Sequence, residues 1–444
     1  MHPRTSPSGR SSGSTPTCRR RASRARWLVT AIALWAPAGV AEVTAIRAGH
    51  LVDPATGGVA TGRVILVDAG KITAVGAELE IPEGAAVVDL SRSWVMPGLM
   101  DAHTHLTYGY APSPPSGPSG QANAPLLEES TGLRALRGIH VGEIVLRAGF
   151  TTVKEIGNAG QYADTDMREA IERGWFDGPT ILNAGKIIAP FGGQVPDISF
   201  ENGPWWQLEY IDADSPDEIR KAVRRNIYYG ATTIKLVADP AAYYYTEEEI
   251  RAAVDEAHRA GLTVAVHVVR DEPARNVILG GADSIEHGIF LSNEVLELMK
   301  EHGTVLVGTD FPTDHLVAMF GEARGRRFGE AFLDRLKRAH ELDVPMAFGT
   351  DVVVDLPGKT RAEMMLEYLD VWLEAGVPPA KILRCMTTET ARLFRIQDER
   401  GAIAKGQWAD VIATRANPLD DIHALETVHF VMKNGKIVRR DQSE

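Results

Sequence analysis

Short apolar, β-branched runs alternate with amphipathic stretches through the middle of the chain, and several runs stop on a side chain that can bind a metal. Val95-Met96-Pro97-Gly98-Leu99-Met100 leads into Asp101-Ala102-His103-Thr104-His105. Thr232-Thr233-Ile234-Lys235-Leu236-Val237 encloses one lysine, and Thr263-Val264-Ala265-Val266-His267 and Ser284-Ile285-Glu286-His287-Gly288 each carry a histidine at the end. Pro345-Met346-Ala347-Phe348-Gly349-Thr350 ends on Asp351. Each run reads as a buried strand, with the polar residue at or near its C-terminal edge. Between runs, Ser215-Pro216-Asp217-Glu218 reads as a capping box with proline at the first helical position, ahead of the periodic Ile219, Ala222, Val223 and Ile227. Thr246-Glu247-Glu248-Glu249 opens a second helix, with Ile250, Ala253 and Ala257 on one face. Strands alternating with capped helices predict a parallel sheet, here a (β/α)8 barrel, whose C-terminal strand edges converge on one rim.

The two ends of the chain follow a different grammar. Gly62–Val67, Asp68-Ala69-Gly70 and Lys71–Val75 make a hairpin signal; Val411–Thr414, Val428–Met432, Lys433-Asn434-Gly435 and Lys436–Val438 repeat it near the end. Neither piece has enough apolar surface for its own core, so the two are expected to pair into one small β-sandwich. The expected organisation is residues 42–94 and 399–444 for the sandwich and 95–398 for the barrel. Two stretches break the barrel's pattern. Tyr108–Pro125 is rich in Pro, Ser and Gly, and Ala189–Asp214 holds Phe191-Gly192-Gly193-Gln194 and Trp205-Trp206. Both follow barrel strands and so lie over the rim, either as lids and a pocket wall or as plain surface insertions.

The first 41 residues belong to neither unit. They carry seven arginines and no acidic residue, then an apolar stretch Trp27–Ala36, then Pro37 and Gly39-Val40-Ala41. This is the pattern of a secretory signal peptide cleaved after Ala41, which places the mature protein in the periplasm or outside the cell. The apolar stretch is too short to span a bilayer, so no stable membrane insertion of the mature chain is expected. Arg19-Arg20-Arg21 fits a plain basic leader better than a twin-arginine signal, because no apolar residue follows at the required place. A misplaced start codon would also explain the Ser/Arg-rich beginning.

Removing seven arginines leaves 40 basic residues against 59 acidic, a net charge of −19. Nucleic acid and anionic membranes are therefore excluded as expected partners, leaving a small-molecule substrate. Cys18 leaves with the signal, so no intrachain disulfide is expected. Cys385, in Lys381-Ile382-Leu383-Arg384-Cys385-Met386, has no histidine nearby in sequence and reads as a core helix residue rather than a nucleophile. The oligomeric state is left open, with a homo-oligomer compatible.

Histidines two apart on a strand leave the same face and can reach one metal ion. With 13 histidines in 444 residues, chance alone supplies roughly 0.4 such pairs, so His103 and His105 need their companions. A lone Lys235 would more often be a buried stem with its ammonium in water, and a lone His267 or His287 a satisfied core residue. Inside a barrel, desolvation lowers a lysine's pKa until a neutral amine is available.

Taken together and in order, Asp101-Ala102-His103-Thr104-His105, Lys235, His267, His287 and Asp351 resemble the amidohydrolase superfamily. So do Met96-Pro97-Gly98-Leu99 and Gly401-Ala402-Ile403-Ala404-Lys405-Gly406-Gln407-Trp408-Ala409-Asp410. Gly149-Phe150-Thr151-Thr152-Val153-Lys154 and Ser284–Gly288 are most similar to the branch of Xaa-Pro dipeptidases, related carboxypeptidases and imidazolonepropionase-like proteins. That branch often has a second histidine after the fifth-strand ligand, where this chain has Val268-Val269-Arg270. The resemblance implies a CO2-derived carbamate on Lys235 and two divalent metal ions, with zinc the expected species. One would be held by His103, His105, Lys235 and Asp351, the other by Lys235, His267 and His287. It further implies that the ions share a bridging hydroxide, that Asp351 moves the proton, and that Asp101 and Glu286 support the ligands.

The expected reaction is hydrolysis of a C–N amide or peptide bond in a dipeptide or N-acyl amino acid. Arg270 is the candidate partner for a substrate carboxylate, against an ordinary solvated arginine. Tyr243, Tyr244 and Tyr245 are candidates for an aromatic wall or a hydroxyl to the carbonyl, with at least one of them only core. Phosphotriesterase or lactonase activity on the same metals, a mononuclear deaminase and a non-catalytic scaffold are the alternatives. Lys235 argues against the deaminase, and five competent ligand positions argue against the scaffold.

Overall fold

The computed structural model describes residues 43–109, 124–158, 160–195, 199–240 and 243–441. The expected signal peptide and most of Tyr108–Pro125 lie outside these residues. The described chain opens with β1 (Thr44–Asp53), β2 (Gly58–Asp68), β3 (Lys71–Gly76) and β4 (Ala86–Pro97). The strands of the barrel region follow: β5 (Leu99–Thr104), β6 (Phe150–Glu155), β7 (Thr180–Asn183), β8 (Ile187–Ala189), β9 (Tyr210–Asp212), β10 (Ile234–Val237), β11 (Val264–Val268), β12 (Ser284–His287) and β13 (Val305–Val307). The chain closes with β14 (Val411–Thr414), β15 (Phe430–Lys433) and β16 (Lys436–Arg440).

Both ends meet in one seven-stranded sheet of order β16-β15-β14-β4-β1-β2-β3. The sheet curls until β3 reaches the segment leading into β14, where Ile72 N–H donates to Gln407 O at 2.8 Å and Ala409 N–H to Gly70 O at 2.9 Å. Its inner residues, among them Ile46, Ile65, Val88, Val411 and Phe430, form a core separate from the barrel's. The two hairpin signals are realised as left-handed pairs, Ala69 and Gly70 with φ of 46° and 81°, Asn434 and Gly435 with 49° and 78°. The two turns touch: a Cβ on Gly435 would come 2.7 Å from Gly70 Cα.

The barrel strands are buried on both faces, which explains why they read as continuous apolar runs rather than alternations. Parallel pairs run β5-β6-β7 and β10-β11-β12-β13. Thr232 N–H to Asn183 O at 2.8 Å joins β7 to β10. The eighth strand is the segment Pro345–Phe348: Ala347 N–H donates to Leu306 O at 3.1 Å, and Ala102 N–H donates to Phe348 O at 2.8 Å, closing the ring onto β5. The result is an eight-stranded parallel barrel. An extra parallel pair, β8 and β9, extends it on the rim beside β10.

Helix starts follow the caps with one difference. Thr246 and Glu249 form the full reciprocal box. Ser215 accepts from Glu218 N–H, but the Glu218 carboxylate reaches back to Asp214 N–H at 2.9 Å, one residue beyond the expected partner. Cys385 is buried in the helix Pro379–Cys385, and burial pushes its thiol up to about 12, which removes it as a nucleophile. No described helix is long and apolar enough to cross a membrane.

Candidate metal centre

The C-terminal end of β5 delivers His103 and His105 side by side, with Nε2 atoms 3.2 Å apart. Each ring is fixed from behind. His103 Nδ1 bonds Glu286 Oε2 at 2.7 Å, and His105 Nδ1 bonds the Gly157 carbonyl at 2.8 Å. A carbonyl or carboxylate can only accept, so the proton sits on Nδ1 and each Nε2 presents toward the centre. Asp351, just past the eighth strand, sets Oδ1 2.9 Å from His105 Nε2 and 3.5 Å from His103 Nε2. Ligand atoms of His103, His105 and Asp351 all lie within 4.8 Å of one another.

β11 and β12 bring two more imidazoles. The His267 and His287 rings are 4.4 Å apart, and His287 is 5.0 Å from His103. Lys235 is buried on β10, level with Ala265 of β11, and its charge bears on His103, His267 and His287 alike. Burial pushes His103 and His287 well below the ordinary histidine range and His267 down to about 3, with Lys235 adding to each. These imidazoles are therefore neutral, with lone pairs available. His105 moves the other way: burial opposes its charge, but the hydrogen bond and charge of Asp351 outweigh that. Burial brings the Lys235 ammonium down to about 8, against the pull of Glu286 and Asp351. Buried neutral imidazoles converging with a carboxylate suit a divalent ion.

Backbone strain marks the same places. His287 and Asp351 have φ of 69° and 55°, a left-handed conformation that non-glycine residues enter only when the surroundings hold them. Glu286 supports His103 directly. Asp101 works differently: it accepts from His103 N–H at 2.8 Å and Thr350 Oγ1 at 2.8 Å, so it ties β5 to the eighth strand rather than orienting a ring.

The substrate candidates separate. Arg270 is half exposed, with Nε 3.4 Å from Asp239 Oδ2 and its guanidinium 6.0 Å from the Tyr244 ring. Tyr243 bonds Asp214 and receives Phe191 N–H at 3.2 Å, pinning the Ala189–Asp214 segment. Tyr245 is a core member of the three. It is 1% exposed and donates to Ala213 O at 2.7 Å, so its hydroxyl is committed to the core and unavailable to a substrate. Trp206 is likewise buried, its indole N–H on Asp212 at 2.8 Å, anchoring the segment to β8 and β10 residues. Trp205 packs with Tyr108 and Leu126, and Tyr108 stands edge-on to His105 at 4.9 Å. A cavity of about 630 Å³ lies at the opposite end of the barrel, lined by Asp283, Pro345, Lys381 and Arg384, and includes none of these groups.

Several contributors were not individually legible in sequence, although Gln194 lies in the segment expected over the rim. Glu155 accepts Leu106 N–H at 2.8 Å and Thr104 Oγ1 at 2.9 Å, shaping the turn after the histidine pair. Gln194 Nε2 lies 3.2 Å from His267 Nε2, Asp239 Oδ1 lies 3.8 Å from the same atom, and Thr309 Oγ1 is 2.8 Å from His287 Nδ1. Of these only Glu155 ends a strand, and a single glutamate there is unremarkable; the others sit in loops without periodicity.

Residues 94–438 match the model of the Amidohydrolase family. The chain belongs to this family. It is similar to ochratoxinase of Aspergillus niger, with 28% identity over 90% of this chain and 87% of that protein. Imidazolonepropionase of Alkaliphilus metalliredigens shares 24% identity over 84% of this chain and 89% of its own length. Among solved structures, a Xaa-Pro dipeptidase with bound methionine in its active site superposes with a TM-score of 0.79 at 30% identity, covering 90% of this chain and all of that one. This amidohydrolase is thus a metal-dependent hydrolase.

Proposed function

We propose that the protein hydrolyses the C–N bond of a dipeptide or N-acyl amino acid at a two-metal centre. The observation that carries the reading is the convergence of His103, His105 and Asp351 on one rim beside Lys235, His267 and His287. Likeness to a Xaa-Pro dipeptidase supports a peptide-like amide. In this reading His103, His105, Asp351 and a carbamylated Lys235 would hold one ion, and Lys235, His267 and His287 would hold the other, zinc being the expected species. Bound there, divalent ions activate water and polarise a carbonyl at neutral pH.

The chain's own groups do the rest. Asp351 is partly open to solvent and is placed to take a proton and return it to the leaving amine. Glu286 and Gly157 keep the two β5 imidazoles in one tautomer. Arg270 receives the substrate carboxylate, with Asp239 steadying the guanidinium at Nε. The export reading of residues 1–41 belongs to the same proposal; N-terminal sequencing of the exported protein would begin at Glu42.

The deciding experiment combines metal analysis with a substrate screen. Two zinc equivalents per chain, turnover of dipeptides or N-acyl amino acids in preference to esters, lactones and phosphotriesters, and at least about 100-fold loss in Lys235→Ala are expected. Protein without bound metal, or full activity in Lys235→Ala, would overturn the two-metal reading. Preference for lactones or phosphotriesters would overturn the substrate class alone. Arg270→Met should raise KM about 10–100-fold for carboxylate-bearing substrates and leave amide analogues of that carboxylate unaffected.

A further inference from the structure

The loop after β13 carries a further strained residue, and unlike His287 and Asp351 it is β-branched. Thr309 has φ of 48°, a conformation its side chain opposes, and it is fully buried. Its two neighbours are both held by one side chain, Arg335, from the helix Glu322–Glu341. Arg335 Nη2 donates to Gly308 O at 2.8 Å, and Nη1 approaches Asp310 Oδ1 at 2.8 Å without hydrogen-bond alignment, as a charge pair. Arg335 and Asp310 are at most 1% exposed. A Cβ at Gly308 would run into the Arg335 guanidinium and the Asp310 carboxylate, so a larger residue there would push the two apart or out of place. Between these two braced neighbours, Thr309 Oγ1 sits 2.8 Å from His287 Nδ1.

We propose that Arg335 and Asp310 clamp the Gly308-Thr309-Asp310 turn so that the Thr309 hydroxyl fixes the ring and tautomer of His287. The inference rests on the reading of His287 as a metal ligand. With Nδ1–H donating to Oγ1, Nε2 keeps its lone pair for the ion. His103 and His105 obtain the same service from Glu286 and Gly157; His287 obtains it from a hydroxyl that is useful only while its backbone is held in an unfavourable conformation. Thr309, Arg335 and Asp310 are positioning residues.

The test uses the full chain and two readouts. Long-range ¹H–¹⁵N correlation spectra of metal-free protein report the His287 tautomer, and competition with a chromophoric chelator reports zinc affinity. Wild type and Thr309→Ser should show the proton on Nδ1, Thr309→Val should show mixed tautomers, and its weaker zinc site should lose about 10–100-fold in affinity. Wild-type tautomer and affinity in Thr309→Val would overturn the role of the hydroxyl. For the clamp, the near-isosteric Asp310→Asn and the paired apolar replacement Arg335→Met with Asp310→Leu should each reproduce the Thr309→Val tautomer mixture. A folded variant of either kind, judged by circular dichroism, that keeps the wild-type tautomer and affinity would overturn it. If wild-type protein binds no zinc, the two-metal reading fails, while the tautomer spectra still decide on the hydrogen bond.

Discussion

Glu286 accepts from His103 at 2.7 Å while Ser284 Oγ donates to its other oxygen at 2.5 Å, so one buried carboxylate on β12 sets the orientation of the first ligand from three strands round the ring. Replacing it with methionine, similar in volume and without an acceptor, should leave the fold intact and weaken zinc binding about 10–100-fold in chelator competition. Glu209 gives a different residue-scale prediction. It is 4% exposed, its Oε1 has no hydrogen-bond partner among the described residues, and burial raises its carboxyl to about 7. A carboxyl raised on folding binds its proton more tightly in the native state. Its contribution is therefore fully present below the ordinary glutamate range and lost as pH rises through about 7, by up to about 3 kcal/mol. Denaturation of wild type and Glu209→Gln at about pH 5 and about pH 8 should show the wild type losing more stability between the two. Any fixed cost of burying the amide is the same at both pH values and drops out. Equal losses would show that Glu209 does not titrate in this window. The histidine and aspartate positions were legible in sequence because they fall at, near or just past the C-terminal ends of strand runs, and Lys235, second in β10, because it is the one charged residue in an apolar run. Thr309 and Glu209 were not, because their meaning depends on partners brought by distant helices and loops.

At the level of elements, the two hairpin turns show where turn chemistry is written plainly and where it is not. Ala69-Gly70 and Asn434-Gly435 announce their left-handed residues, but nothing in either segment announces that they will touch. Gly70 would place a Cβ 2.7 Å from Asn434 O, and Gly435 would place one 2.7 Å from Gly70 Cα. Each change to alanine also forces a β-carbon into the left-handed region, which costs roughly 1–2 kcal/mol by itself. Gly70→Ala and Gly435→Ala should each lower the urea midpoint by more than that conformational cost, and the double variant should lose less than the sum, since the first shift already parts the turns. Strict additivity would mean that the turns do not press on each other. The same limit applied elsewhere. The ends were expected to share a core, but the parallel pairing of β1 with β4 and the order of the sheet follow from three-dimensional closure. Trp205-Trp206 read as a possible pocket wall, and only packing separates Trp206, an anchor under the loop, from Trp205, which meets Tyr108.

Across the whole molecule, the proposed ligands come from β5, β10, β11, β12 and the segment after the eighth strand, so an ion held by them links strands on opposite sides of the ring. The barrel must align all of these before the site exists, and the unfolded chain offers only scattered ligands. Metal binding is then linked to global folding, not only to catalysis. At a free concentration one hundredfold above its Kd, an ion that binds only the native state adds about 2.7 kcal/mol per site. Calorimetry of the zinc-loaded protein should therefore give a single transition whose midpoint rises with free zinc, and removal of zinc by chelator should lower it by an amount set by that relation. His103→Ala should shift the chelator-treated protein little beyond the cost of its lost packing, while removing much of the zinc dependence. β4 of the seven-stranded sheet leads directly into β5 of the barrel, so both should melt together. A midpoint indifferent to zinc would mean that zinc binds the folded protein no more tightly than the unfolded chain, and that the ring owes its integrity to packing alone.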